Sequence, residues 1–188
     1  MARLILLDRD GVINQDSDAF VKSAAEFIAL PGAFEAIADL CRSGFRIAVC
    51  TNQSGIGRGL LSEADLRRIH EKLERGISDA GGVLHGIRYC PHLPDDGCDC
   101  RKPKPGMALA LMQALGADPA ETTVVGDSLR DLEAGRSAGC RAVLVRTGNG
   151  SDSESDAIRA GFREIYDDLS AFARAEIARL QGASGVQQ

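Results

Sequence analysis

The sequence predicts an α/β fold built on a parallel sheet, and three observations carry that expectation. Short apolar runs such as LILL, RIAVC and TVV alternate with amphipathic stretches, the pattern of strands joined by crossover helices. After the polar first residue of RIAVC and TVV, each run is apolar rather than alternating with polar residues, which suits strands buried inside the protein. Polar residues stand at the carboxyl ends of the runs: Asp8, Thr51 and Asp127. Ligands of open α/β sheets bind outside that edge, so these sequence-distant positions are expected to converge there.

The elements follow in order. Leu4–Leu7 is the first buried strand and ends at Asp8. Ala33–Arg42 has helical periodicity and stops at Gly44. Arg46–Cys50 is the second buried strand, ending at Thr51. Ser62 has the character of an N-cap with Asp65 three residues on, so Glu63–Ala80 is expected to be a helix that ends at Gly81-Gly82. Gly86–Cys90 is the third strand, and Pro105–Leu115 a helix with proline at its start and Gly116 after its end. Thr123–Val125 is a strand running into Gly126-Asp127, followed by a helix near Leu129–Ala138. Ala142–Val145 is a further strand, Phe162–Ile165 an edge strand and Leu169–Leu180 a closing helix. The stretch TGNGSDSESD, 147–156, is expected to be a polar loop and 181–188 a frayed tail. No internal repeat stands out, and 1–180 is expected to form one domain without a separate cap domain.

Composition limits the function. The chain has 188 residues, 44% apolar and 26% charged, as in ordinary soluble domains. Its formal net charge of −5 argues against nucleic acid, whose phosphates recruit basic surfaces. No apolar run is long enough to span a bilayer, and MARLILLDRDG lacks the core and cleavage site of a signal peptide. The expectation is a cytoplasmic monomer acting on a small molecule, with no nucleic-acid or membrane partner. In a reducing compartment, clustered cysteines are metal ligands rather than disulfides.

Four stretches carry candidate chemistry. LILLDRDGVIN places Asp8 and Asp10 on one side of an extended segment, just before Gly11 lets the chain turn. Read alone, it is equally a strand end with a D-G turn. VVGDSLRD repeats the theme with Asp127 and Asp131; Asp8 and Asp127 together suit a hard divalent cation such as Mg²⁺, while Asp127 and Ser128 equally suit a helix cap. TNQSGIGRG offers Thr51, Asn52 and Ser54 in a glycine-rich loop whose amides suit an anion, although many surface turns look alike. RKPKPG sets Arg101 and Lys102 before a helix start, where phosphate is favoured, although isolated charge runs usually face solvent.

The stretch CPHLPDDGCDC supplies Cys90, His92, Cys98 and Cys100, a Cys₃His set of the kind that structural zinc takes. Pro91, Pro94 and Gly97 bend the segment so that both ends reach one ion. The alternative is a cluster of free thiols. With all four positions filled by protein, this zinc is structural and staples the loop that delivers Arg101 and Lys102. Cys41, Cys50 and Cys140 fall in or beside core elements as small buried hydrophobes.

The order DRDG, Thr51, Lys102, GDSLRD resembles the haloacid dehalogenase superfamily of aspartate-nucleophile phosphatases, over most of Met1–Val145. The resemblance implies a Rossmann-like sheet with helices on both faces. It implies Asp8 as nucleophile, Asp10 as general acid and base, and Thr51 and Lys102 gripping the phosphoryl group. Mg²⁺ would be held by Asp8, the main-chain carbonyl of Asp10, and Asp127. The zinc loop followed by CRKPKPGM is similar to the histidinol-phosphatase-like subfamily, and TNQSGIGRG with GDSLRD is more similar to its heptose 1,7-bisphosphate phosphatases. By that resemblance the partner is a sugar bisphosphate that loses its C7 phosphate on the route to ADP-heptose and lipopolysaccharide core. Substrate contacts would come from Asp16, Ser17, Asp18 and Ala19, from Thr51, Asn52, Gln53 and Ser54, and from Arg101 and Lys102, with Arg101 receiving the C1 phosphate. Some members carry lysine where this chain has Ser128. Histidinol-phosphate phosphatase is the alternative. A phospho-accepting receiver or a zinc interaction module is the non-enzymatic one, but a receiver has no use for Asp10 and a zinc module none for the other strand ends.

Overall fold

The computed structural model describes residues 3–184. Its six strands are β1 (Leu4–Leu7), β2 (Arg46–Asn52), β3 (Leu84–Cys90), β4 (Thr122–Gly126), β5 (Arg141–Val145) and β6 (Ile165–Tyr166). The helices are α1 (Ala33–Arg42), α2 (Ser54–Gly57), α3 (Glu63–Asp79), α4 (Gly106–Leu115), α5 (Leu129–Ser137), α6 (Gly150–Arg159) and α7 (Leu169–Ser184). All strand pairs are parallel, in the order β3-β2-β1-β4-β5-β6.

Alternation along each strand divides the core into two layers. Ile5, Leu7, Ile47, Val49 and Val125 pack with Ile37 and Leu40 of α1, Ile69 and Leu73 of α3, and Phe172 of α7. Their neighbours Leu4, Leu6, Ala48, Cys50 and Val124 point the other way, onto Met107, Leu111 and Met112 of α4. Farther along that second face, Leu144 meets Leu132 of α5, Ala157 of α6 and Phe162. Helices cover both faces, which is why the strands read as continuous apolar runs. The expected Rossmann-like sheet is present, with no inserted cap domain among the described residues. None of the described helices is long and apolar enough to cross a membrane.

The strand order places the site. From β1 the chain steps outward to β2 and β3, then returns to lay β4 on the other side of β1. The crevice between β1 and β4 is therefore the point where the order reverses, where α/β sheets open for ligands. Leu7 is in register with Val125, and the Asp8 amide donates to the Val125 carbonyl at 2.9 Å. Asp8 and the Gly126-Asp127 turn thus emerge side by side.

Most expected elements appear within two residues of their bounds. Ser62 caps α3 and forms a capping box with Asp65, and Gly116 ends α4 with φ 58°. The stretch read as a polar loop over 147–156 is a correction: α6 occupies Gly150–Arg159. Its sequence GSDSESDAIR carries little helical signal because Ala157 is its one buried hydrophobic side chain, while Ile158 faces outward. Gly150 backs closely onto the Val145 carbonyl, where a Cβ would overlap it. The edge strand is Ile165–Tyr166 rather than Phe162–Ile165, because Phe162 is drawn into the core between α5 and α6. A 3-10 turn at Pro119–Glu121 leads into β4, where no element was expected. The tail expected over 181–188 overlaps the last turn of α7, and 185–188 lie outside the described residues.

Candidate active site

Asp8 stands at the end of β1, nearly buried, with its Oδ1 accepting the Arg9 amide at 2.7 Å. The Lys102 ammonium lies 2.8 Å from the same oxygen and 2.7 Å from Asp131 Oδ1, and donates to the Cys50 carbonyl at 2.8 Å. An ammonium has three protons, so all its donors are engaged. Burial alone would lower the Lys102 pKa, but Asp131 and Asp8 hold it above the ordinary lysine value. Asn52 fixes the main chain that carries this lysine: its Oδ1 accepts the Lys102 amide at 3.1 Å and its Nδ2 donates to the Lys102 carbonyl at 3.2 Å.

Asp127 faces Asp8 from the end of β4. Its Oδ2 accepts the Asn149 amide at 2.8 Å and the Asn149 side chain at 3.2 Å. Gly11 (φ 82°) and Gly148 (φ 58°) close around this carboxylate, and a Cβ on either would overlap it. Asp131 accepts the Ser128 amide at 3.0 Å as the helix-capping partner and offers its other oxygen to Lys102.

Three carboxylates thus crowd one place, with an oxygen of each of Asp8, Asp127 and Asp131 within 4.8 Å of the others. Burial, reinforced by the other two acids, pushes Asp8 up to about 8 against the pull of Lys102. Burial and Asp131 push Asp127 up to about 6. Asp131 stays below the ordinary carboxylate range because Lys102 and Ser128 outweigh its burial. Asp127 Oδ1 is buried without a hydrogen-bond partner. An orphaned oxygen beside a raised carboxylate pair is what a hard divalent cation satisfies, so the residues fit Mg²⁺ at Asp8 and Asp127.

Asp10 belongs to a separate network. Its Oδ1 accepts Arg9 Nη2 and Asn14 Nδ2, both at 2.8 Å, and its Oδ2 accepts Gln53 Nε2 at 2.8 Å. The same Gln53 nitrogen reaches Thr51 Oγ1 at 2.8 Å, joining the ends of β1 and β2. Arg9 is 0% exposed, and its Nη1 lies 3.5 Å from His70 Nε2. Burial first, then the Arg9 charge, lowers His70 to about 4.

A cavity of about 180 Å³ opens above these groups. Asp8, Asp10, Thr51, Asn52, Gln53, Ser54 and Arg101 line it, as do Asp16 and Ser17 of the loop after β1. Asp18 and Ala19 are exposed and do not line it; Phe20 and Val21 take that wall instead. Phe20, one of the lining residues, adopts φ 63°, a left-handed conformation uncommon outside glycine. Lys102 lies behind the lining rather than in it.

Sequence reasoning passed over Arg9, Phe20, Arg130 and Asn149. Arg9 sat inside the DRDG motif and was legible as the neighbour of two acids. Asn149 was hidden in the segment read as a loop, yet it N-caps α6 and also donates to Asp16 at 2.8 Å. Neither Phe20 nor Arg130 carries a local pattern that marks it.

The expected metal loop is assembled. Cys90 Sγ lies 3.7 Å from Cys98 Sγ and 3.5 Å from His92 Nδ1, and that nitrogen is 3.3 Å from Cys100 Sγ. Two thiolates at the usual zinc distance stand about 3.8 Å apart in a tetrahedron, so the set fits zinc. Burial pushes the Cys90 thiol up to about 12, and a cation is what would hold it as thiolate. The loop is anchored at Cys90, whose carbonyl accepts the Gln53 amide at 2.7 Å, and delivers Arg101 and Lys102 directly after Cys100.

Two outcomes are expected from this geometry. Protein purified without added zinc should carry about one zinc per chain, as a closed four-ligand site does. Cys98→Ser should lose most of it and melt at lower temperature; full zinc content in that variant contradicts the assignment. Stability should also fall in acid through His70. Its folded pKa of about 4 lies below the ordinary 6.5, so the unfolded chain binds the extra proton between those values. Stability is therefore intact above pH 6.5 and declines toward pH 4. Urea titrations of His70→Gln should show a shallower decline over that window, and an identical decline would exclude His70 as its source.

A hydrolase family described as HAD-hyrolase-like matches residues 99–172. The D-glycero-beta-D-manno-heptose-1,7-bisphosphate 7-phosphatase of Bordetella bronchiseptica is 50% identical over 171 residues, 91% of this chain and 96% of that protein. The enzyme of the same name from Pseudomonas aeruginosa is 48% identical over 172 residues, covering 92% and 96%. The crystal structure of D,D-heptose 1,7-bisphosphate phosphatase from B. bronchiseptica, complexed with magnesium and phosphate, superposes with a TM-score of 0.89 at 48% identity, over 94% of this chain and 99% of that one. With the fold, the strand-end acids and these likenesses together, the chain belongs to the D-glycero-beta-D-manno-heptose-1,7-bisphosphate 7-phosphatase family of HAD-like hydrolases.

Proposed function

We propose that the protein is a magnesium-dependent phosphatase that removes the C7 phosphate of D-glycero-D-manno-heptose 1,7-bisphosphate and leaves the C1 phosphate in place. The observation that carries this reading is the pair Asp8 and Asp10 lining one small cavity while belonging to separate hydrogen-bond networks. One carboxylate can then attack while the other handles protons.

Asp8 attacks phosphorus in line as the C7 oxygen leaves, forming an aspartyl-phosphate. Asp10 gives its proton to that oxygen, since an alkoxide leaves poorly without one. It then takes a proton from the water that attacks the phosphorus, which releases phosphate and restores Asp8. Lys102 begins the cycle paired to Asp8. As Asp8 bonds to phosphorus it gives up charge, and the freed ammonium donor turns to a phosphoryl oxygen beside Thr51. Magnesium held by Asp8, Asp127 and the main-chain carbonyl of Asp10 supplies charge neutralisation between carboxylate and phosphate.

Cavity size supports attack at C7. About 180 Å³ admits a phosphoryl group on a short arm, whereas a small-molecule pocket usually needs roughly 300 Å³ or more. The primary C7 carbon can enter while the ring stays outside; a C1 phosphate would press the ring against the rim. Zinc at Cys90, His92, Cys98 and Cys100 takes no part in the chemistry and fixes the loop that presents Lys102. A cytoplasmic location suits these thiols.

Asp8→Asn is expected to lower kcat by about a thousandfold or more with the fold intact by circular dichroism, and Asp10→Asn to be severely impaired on the sugar substrate. Phosphorus NMR of the wild-type product should show the C1 signal retained and the C7 signal gone. A surviving C7 phosphate, or a clear preference for histidinol phosphate in a parallel assay, would overturn the substrate assignment.

A further inference from the structure

We infer that Arg130 receives the phosphate left on C1, an assignment that rests on the sugar bisphosphate reading above. Arg130 lies in the first turn of α5, two residues after the N-cap Ser128. A cation there opposes the helix dipole, so helix stability does not account for it. Its side chain is exposed, lines the cavity that holds Asp8 and Asp10, and forms no hydrogen bond or ion pair with the described residues.

The other cation that lines the cavity and the two that pair with its acids are already committed. Lys102 spends its three donors on Asp8, Asp131 and the Cys50 carbonyl. Arg9 is buried and holds Asp10. Arg101, the residue expected from the sequence to take the C1 phosphate, also lines the cavity but donates Nη1 to the His92 carbonyl at 3.2 Å, which ties it to the cysteine loop. Arg130 therefore keeps its whole guanidinium fork for a ligand, and that fork matches two phosphate oxygens.

Position separates its role from that of Lys102. The reacting phosphoryl group must reach buried Asp8, Thr51 and Lys102 at the floor. Arg130 is exposed at the rim, where the ring and its C1 phosphate would remain. The acids that line the cavity repel a second dianion unless a cation meets it, and the net charge of the chain offers none at long range.

Steady-state kinetics on heptose 1,7-bisphosphate and on heptose 7-phosphate, which lacks the C1 group, test the assignment. Arg130→Ala should raise KM for the bisphosphate by about ten- to a hundredfold with kcat little changed, the size expected for a lost charge-assisted contact. The rise for the 7-phosphate should be at least several times smaller, so the preference for the bisphosphate collapses. Arg130→Lys should restore part of it. Equal losses on the two substrates, or a preference that survives in Arg130→Ala, would overturn the assignment while leaving the bisphosphate reading intact. If the wild type itself shows no preference between them, that reading fails and the Arg130 assignment with it.

Discussion

The Lys102 ammonium is the point on which the site depends. It joins the end of β1 through Asp8, the end of β2 through the Cys50 carbonyl, and α5 through Asp131. Removing this cation would leave three buried carboxylates within 4.8 Å with nothing of opposite charge among them. Burying a lysine is itself unfavourable, and it is tolerated here because every proton has a partner. Much of the surrounding chain serves its placement. Asn52 grips its main chain from β2, and the cysteine loop hands it over from the end of β3.

Two acids need two environments if they are to do different work, and the structure supplies them through two cations. Asp8 shares Lys102 with Asp131, deep between β1 and β4. Asp10 is held by Arg9, with Gln53 and Asn14 completing its shell. Arg9 can be buried because neutral His70 backs it rather than a second charge. Gln53 touches both Asp10 and Thr51, so the acid proposed to handle protons and the hydroxyl proposed to bind the phosphoryl group share one anchor.

How much of this the sequence reveals depends on the range of each interaction. Strands buried on both faces are continuous apolar runs, and the acids at their ends stand out by contrast, so Asp8, Thr51 and Asp127 were legible. Cys90, His92, Cys98 and Cys100 were legible because one short loop contains the whole set. Helix α6 was not, because its apolar face amounts to little more than Ala157 and its fit to the sheet relies on a glycine. Nor did local pattern mark Asn149, which matters only once α6 is folded beside Asp127, or Phe20, which reaches the cavity lining from a left-handed backbone. Asp18 and Ala19, implied by likeness alone, stand outside the cavity lining, which Phe20 and Val21 share.

The most direct test of the central claim is urea unfolding of Lys102→Met against wild type, without added magnesium, at pH 7.5 and pH 5. Breaking a buried ion pair by removing one partner typically costs about 3–5 kcal/mol, and that loss is expected at the higher pH. Asp131 is held low by Lys102 in the wild type, so without the lysine both Asp131 and Asp8 take up protons more readily. The variant therefore gains more than the wild type from acid, and the difference between them should shrink at pH 5. A loss of equal size at both pH values, or no loss at either, would contradict the account.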